Sequence, residues 1–168
     1  ELITGKAVHK TTRGNLRIGI IGILMQNLQD FTQRIAWEGL ILEDPAEAVR
    51  RHLEELKPEV DLIIVLSHQG HDADLALARA VPGIDVIVGG HSHTRLEQPK
   101  QVGETLVAQA GQYGEWVGRL DLSIDLEQKK IIESRGELIP TDKATWGEDP
   151  ATAAVVDKWE SRVREIVD

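Results

Sequence analysis

The residues best suited to chemistry in this sequence are its histidines. There are six, His9, His52, His68, His71, His91 and His93, and there is no cysteine. Thiolate metal sites, disulfides and cysteine nucleophiles are therefore excluded. His68 follows directly on an apolar run ending Leu66-Ser67. His91 and His93 follow directly on another ending at Val88, within Gly89-Gly90-His91-Ser92-His93. Neutral imidazole holds Zn, Mn, Fe, Co and Ni, and three imidazoles can hold a metal with an open position. In extended chain, residues two apart face one side, so His91 and His93 could chelate together. Gly89 and Gly90 let the backbone turn sharply or approach a ligand closely. The other reading of the same spacing is that these histidines cap strand ends and bond to loop backbone. His71 reads as a solvated or supporting residue, and His52, near Glu55 in a helical stretch, as a surface or interface residue. His9 supports no assignment.

Other side chains carry weaker signals. Asp72 and Asp74 read as helix caps, Asp85 as a turn-fixing residue, and Asp61 and Asp121 as structural. Trp37, Trp116, Trp146 and Trp159 read as packing residues. Gly111-Gln112-Tyr113-Gly114 is either a plain hairpin loop or part of a rim lining the histidine edge. There is no Walker loop and no G-x-S-x-G elbow.

The elements that must position the histidines follow from periodicity. Leu16–Leu24, Asp61–Ser67 and Ile84–Val88 are apolar, β-branched runs of buried-strand type. An edge strand is expected around Ala7–Lys10. Between the buried strands lie a helix starting at Asp44-Pro45, with an N-cap and a proline at its first position, and a second over Asp72–Val81. Gln26–Gly39, with Phe31 and Ile35, reads as irregular. This alternation indicates β-α-β units and a parallel sheet. In such units the strands run the same way, so the ends carrying His68, His91 and His93 share one edge, where open α/β sheets place their sites. After Pro99, Glu104–Ala108, Val117–Asp125 and Lys130–Leu138 read as antiparallel hairpin strands, with Gly136 as a bend. Residues 141–148 read as loop, and Pro150–Val167 as a helix with a stripe of Val155, Val156, Trp159, Val163 and Ile166.

Composition sets the outer bounds. A chain of 168 residues, 41% hydrophobic and 28% charged, has the profile of one globular domain. Nineteen basic against 28 acidic residues give a net charge of -9. That disfavours bulk nucleic acid and anionic membrane as partners. A small phosphorylated ligand stays compatible if metal ions supply positive charge. No apolar run approaches the roughly 20 residues of a membrane span.

Taken in order, Gly14–Gly22, Ser67-His68-Gln69-Gly70, Pro82–His93, Ala110–Gly114 and Gly118-Arg119-Leu120 resemble the 5'-nucleotidase and 2',3'-cyclic phosphodiesterase group of calcineurin-like metallophosphoesterases. The resemblance covers nearly the whole chain. It implies part of a four-layer α/β/β/α sandwich and two divalent metal ions (Zn, Mn, Co or Fe), with His68 and His91 on one and His93 on the other. It further implies hydrolysis of a small phosphate ester, foremost a nucleoside 5'-phosphate, with Gly90, Gly111 and Tyr113 on the substrate rim and no side chain assigned a catalytic proton transfer. The family's Asp-x-His, Gly-Asp and Gly-Asn-His motifs do not occur in these residues. Asp30 follows the first strand, but nothing in the family pattern makes it their substitute. The chain is thus expected to be the second half of such a domain over 1–148, with a connector helix over 149–168. By itself it is expected to be inactive, with at most a partial metal site. The alternatives are a single-metal binding module and a module that self-associates through an exposed sheet face. Exported, periplasmic or cell-surface location is the family's tendency; no targeting segment in the sequence speaks to it.

Overall fold

The computed structural model describes residues 8–36 and 38–167. Trp37 and Ala7 lie outside them. Six strands form one sheet in the order β1-β2-β3-β4-β6-β5. They are β1 (Val8–Arg13), β2 (Leu16–Leu24), β3 (Leu62–His68), β4 (Val86–Val88), β5 (Lys100–Val102) and β6 (Thr105–Ala108). The central four, β2, β3, β4 and β6, are parallel, and β1 and β5 add antiparallel edges. The fold is mixed α/β, as the alternating pattern requires.

Helix α1 (Pro45–Leu56) joins β2 to β3, and α2 (His71–Ala80) joins β3 to β4. The start of α1 is fixed chemically: Asp44 Oδ1 accepts the Ala46 and Glu47 N–H groups at 2.9 and 3.0 Å, and Pro45 opens the first turn. Both helices pack on one sheet face. There Ile21, Val65, Ile87 and Val107 stand in register across four strands, each fully buried. Val49 and Leu53 of α1 and Leu75 and Ala78 of α2 close over that row. Each of the four sheet residues contributes about 2 kcal/mol by burial.

One residue further along every strand the picture inverts. Gly22, Leu66, Val88 and Ala108 form the next row, on the opposite face, because side chains alternate with period two. Leu66 is 48% exposed and Val88 42%. Leu24, on the same face, is 46% exposed. Among the described residues this end of the second face is left open.

The last strands, β7 (Trp116–Asp125) and β8 (Lys130–Pro140), pair antiparallel as a separate two-stranded sheet. Side-chain hydrogen bonds to backbone carbonyls help hold this hairpin to the rest. Lys129 Nζ donates to the Val60 carbonyl at 2.9 Å, and Gln98 Nε2 to the Gly136 carbonyl at 2.8 Å. Between hairpin and sheet lies an apolar cleft of about 200 Å³ lined by Val88, Ala108, Leu120 and Leu138. Helix α3 (Lys143–Trp146) is a single turn, and α4 (Pro150–Val167) buries none of its residues.

Several expectations are corrected. Strand β6 joins the parallel sheet beside β4, so the segment from Gly111 to the start of β7 crosses between two sheets and does not close a hairpin. The polar strand β5 carries no apolar signal and was not anticipated. Gly136 is no bend: it is buried in register opposite Leu120, and a Cβ there would collide with the Pro99 ring. Residues 141–148 contain α3. Trp146 and Trp159 are exposed, so neither packs a core.

Candidate metal and phosphate-ester site

His68 is the last residue of β3, aligned with Leu24 at the end of β2. The loop carrying His91 and His93 leaves the end of β4, its start pinned by the Gly89 N–H donating to the Ala108 carbonyl at 2.8 Å. Topology therefore brings all three histidines to the carboxyl edge of the parallel strands. The imidazoles then divide. The rings of His68 and His91 meet edge to face with centroids 5.4 Å apart. His93 instead faces Tyr113, at 5.8 Å.

The expectation that His91 and His93 lie on one side of an extended segment is not met. Both adopt left-handed backbone, with φ of 71° and 57°, which breaks the alternation an extended chain would impose. Among the described residues no three His, Asp or Glu side chains come together as one ligand group. The donors fit a divalent transition metal in kind, since neutral imidazole is its ordinary ligand. In number they would fill only part of a coordination sphere, with two imidazoles at one place and one at another.

The rim glycines have distinct geometric reasons. A Cβ at Gly90 would sit 3.0 Å from His68 Nδ1 and 3.4 Å from the Ser67 carbonyl, so glycine admits the imidazole. Gly111 has φ 79°, and its N–H donates to the Thr94 carbonyl at 3.1 Å, tying the 111–114 turn to the histidine loop. Tyr113 is itself left-handed at φ 54° and 85% exposed. A non-glycine residue held in that region is strained, and such strain concentrates at functional sites.

Two features were missed in the sequence. Phe31 packs edge to face on His91, with centroids 4.8 Å apart, from a 3-10 turn over Leu28–Asp30. Asp30, in that turn, accepts from Asn27 Nδ2 at 3.1 Å and joins no ligand group. The second is a buried polar layer behind the rim. Asp74 is not a helix cap: it is completely buried, and its Oδ1 accepts from Ser67 Oγ at 2.5 Å and from Gln69 Nε2 at 3.1 Å. Its other oxygen, Oδ2, has no hydrogen-bond partner among the described residues and points at Gly89, where a Cβ would collide with it. Burial pushes the Asp74 carboxyl above the usual range, against the opposing pull of the Ser67 and Gln69 donors. Gln109, the residue after β6, fills the adjoining space and is 4% exposed. No sequence pattern separates these buried polar residues from surface ones, because their burial follows from strand order.

His71 opens α2, with its N–H donating to Ser92 Oγ at 3.0 Å. That is a supporting position. Half-buried His52 lies 3.5 Å from Glu55 on α1, away from the rim. Asp85 fixes β4 to β3, accepting the Ile63 N–H at 2.6 Å. Asp61 binds Arg17 through two side-chain hydrogen bonds of 2.9 and 2.5 Å.

No family model matches the chain. Individual relatives do. It is 32% identical over 137 residues to a trifunctional nucleotide phosphoesterase protein of Bacillus subtilis, spanning 77% of this chain and 9% of that protein. It is 31% identical over 139 residues to human 5'-nucleotidase, 71% of this chain and 24% of the relative. Among solved structures, a 5'-nucleotidase precursor from Thermus thermophilus superposes with a TM-score of 0.81 at 28% identity, over 95% of this chain and 34% of that one. A 5'-nucleotidase of Staphylococcus aureus in complex with alpha-ketoglutarate gives 0.78 at 26%, with the same coverage. The chain spans about a third or less of the length of each of these proteins. Over most of its 168 residues the chain is a homologue of metallophosphoesterases and 5'-nucleotidases, and it has the corresponding part of the 5'-nucleotidase fold.

Proposed function

We propose that this chain serves metal-dependent hydrolysis of phosphate esters, foremost nucleoside 5'-phosphates, as part of a longer 5'-nucleotidase-like enzyme. In this reading residues 1–148 are the second half of the phosphoesterase domain and residues 149–168 a connector helix. His68 and His91 serve one divalent cation and His93 a second. The observation that carries the reading is the division of the rim, a facing imidazole pair at 5.4 Å and a third imidazole turned to Tyr113. The chemistry such cations supply when bound is charge neutralisation on the phosphate ester and activation of water.

The chain's own residues then have defined tasks. The three histidines act as neutral ligands. Gly90 leaves room for His68, and Gly111 and Tyr113 shape the side from which substrate enters. Carboxylate ligands must come from outside the described residues, so the chain alone is expected to be inactive. None of the described helices is long and apolar enough to cross a membrane. The precursor status of the Thermus relative supports an exported or cell-surface setting. Titration with Zn(II), Mn(II) or Co(II), repeated on His91→Ala, tests the ligands: equal binding by the variant refutes them. An assay of this chain on nucleoside 5'-monophosphates tests the rest, and turnover like that of an intact enzyme would refute the partial site.

The open face of Leu24, Leu66 and Val88 favours a second reading, a module that self-associates through this face. Light scattering decides it, and a clean monomer at high concentration rules it out.

A further inference from the structure

One buried side chain behind the rim touches the histidine loop at three points. Gln109 Nε2 donates to the Gly90 carbonyl at 3.2 Å. Its Oε1 accepts from Ser92 Oγ at 3.1 Å and from the Thr94 N–H at 2.5 Å. Ser92 Oγ spends its one proton on Gln109, so it accepts from Thr94 Oγ1 at 2.9 Å and from the His71 N–H. The three anchors, residues 90, 92 and 94, alternate with His91 and His93. Both histidines are left-handed, a conformation that non-glycine residues keep only when their surroundings over-determine it. Gln109 is itself anchored: its carbonyl accepts the Leu96 N–H at 3.0 Å, and the preceding Ala108 carbonyl accepts Gly89.

We propose that Gln109 is a positioning residue whose amide imposes the left-handed conformations of His91 and His93 and so sends their imidazoles to different partners, His68 and Tyr113. A primary amide meets the need because one group must both donate, to Gly90, and accept, from Ser92 and Thr94. Methionine does neither at similar length. Glutamate keeps the acceptor and sets an oxygen against the Gly90 carbonyl. The functional consequence rests on reading the histidines as metal ligands; the conformational claim does not.

The test has two arms on the isotopically labelled chain. In the first, backbone couplings and Cα shifts of His91 and His93 are read by NMR in the wild type, Gln109→Met and Thr105→Val. Thr105→Val is the control, since it removes a buried hydrogen bond of the strand that leads into Gln109, Thr105 Oγ1 to the Ile84 carbonyl, without touching the loop. Gln109→Met should erase the left-handed signature at both histidines, and Thr105→Val should leave it intact. In the second arm, Zn(II) affinity should fall about tenfold or more in Gln109→Met, the usual effect of losing a residue that orients ligands, and stay unchanged in Thr105→Val. A folded Gln109→Met with unaltered histidine signals overturns the inference, as does an equal change in the control. If Gln109→Met does not fold, Gln109→Glu carries the same comparison through loss of the Gly90 bond. A wild-type chain that binds no zinc refutes the metal reading and leaves the NMR arm to decide the role of Gln109.

Discussion

The buried layer behind the histidines makes a sharp demand on one glycine. A Cβ at Gly89 would collide with Asp74 Oδ2 and lie 2.9 Å from Gln109 Nε2 and 3.5 Å from Asp74 Cγ. Neither neighbour can swing aside freely. Asp74 is fully buried and held by Ser67 and Gln69, and Gln109 is held by Gly90, Ser92 and Thr94. Gly89→Ala must therefore displace the backbone at the end of β4 or break buried hydrogen bonds. Overpacking alone costs about 1–3 kcal/mol, and stranding one buried polar group about 1–3 kcal/mol more. The expected loss is about 3 kcal/mol, read as a fall in the urea midpoint at unchanged slope. A double-mutant cycle locates its source. In an Asp74→Ala background the nearest obstacle is gone, so Gly89→Ala should cost at least about 1 kcal/mol less, within the coupling range of contacting residues. A Gly89→Ala protein within about 0.5 kcal/mol of wild type, or additive effects in the cycle, would refute the reasoning.

Three further outcomes follow from the structure. Arg17 beside Asp61, chiefly through its side-chain hydrogen bonds, holds that carboxyl well below the usual carboxylate range. Its stabilisation is therefore present above the unfolded value of about 3.9 and lost as pH falls through the folded value; urea midpoints between pH 2 and 6 should show a smaller acid loss in Asp61→Asn than in wild type. Ile87→Ala, in the fully buried row, should cost about 3 kcal/mol, and Leu66→Ala on the open face under about 1 kcal/mol, measured by the same unfolding curves; similar costs would mean that the second face is covered. Asp44→Ala removes the cap of α1 and should cost about 1 kcal/mol, seen as a lowered thermal midpoint.

The central sheet was legible because its strands are written as apolar β-branched runs, and runs of that kind need burial on both faces. That same logic makes the exposure of Leu66 and Val88 informative. Their strands read as buried twice over, while the helices cover the opposite face, that of Ile21, Val65, Ile87 and Val107. Strand β5, Lys100-Gln101-Val102, was illegible because an edge strand of three polar-rich residues carries no periodicity. The placement of β6 was misread because short strands separated by glycines fit either a hairpin or a parallel neighbour. Pairing with β4 is a non-local choice that local pattern does not encode.

The site divides along the same line. His68, His91 and His93 could be placed at one edge from strand direction alone, since a residue at the carboxyl end of a parallel strand has its position fixed by topology. Where each imidazole points could not be read, because it depends on φ at residues 91 and 93. Those angles are uncommon for any residue but glycine, though histidine tolerates them better than most. They are set by hydrogen bonds to an amide far off in sequence, at 109, and through the hydroxyl at 92, which also meets the start of α2. Local pattern thus announced which side chains could do chemistry. The long-range hydrogen bonds that aim them exist only once β4 and β6 lie side by side, and so the candidate histidines are readable from the chain while their division between two places is a property of the fold.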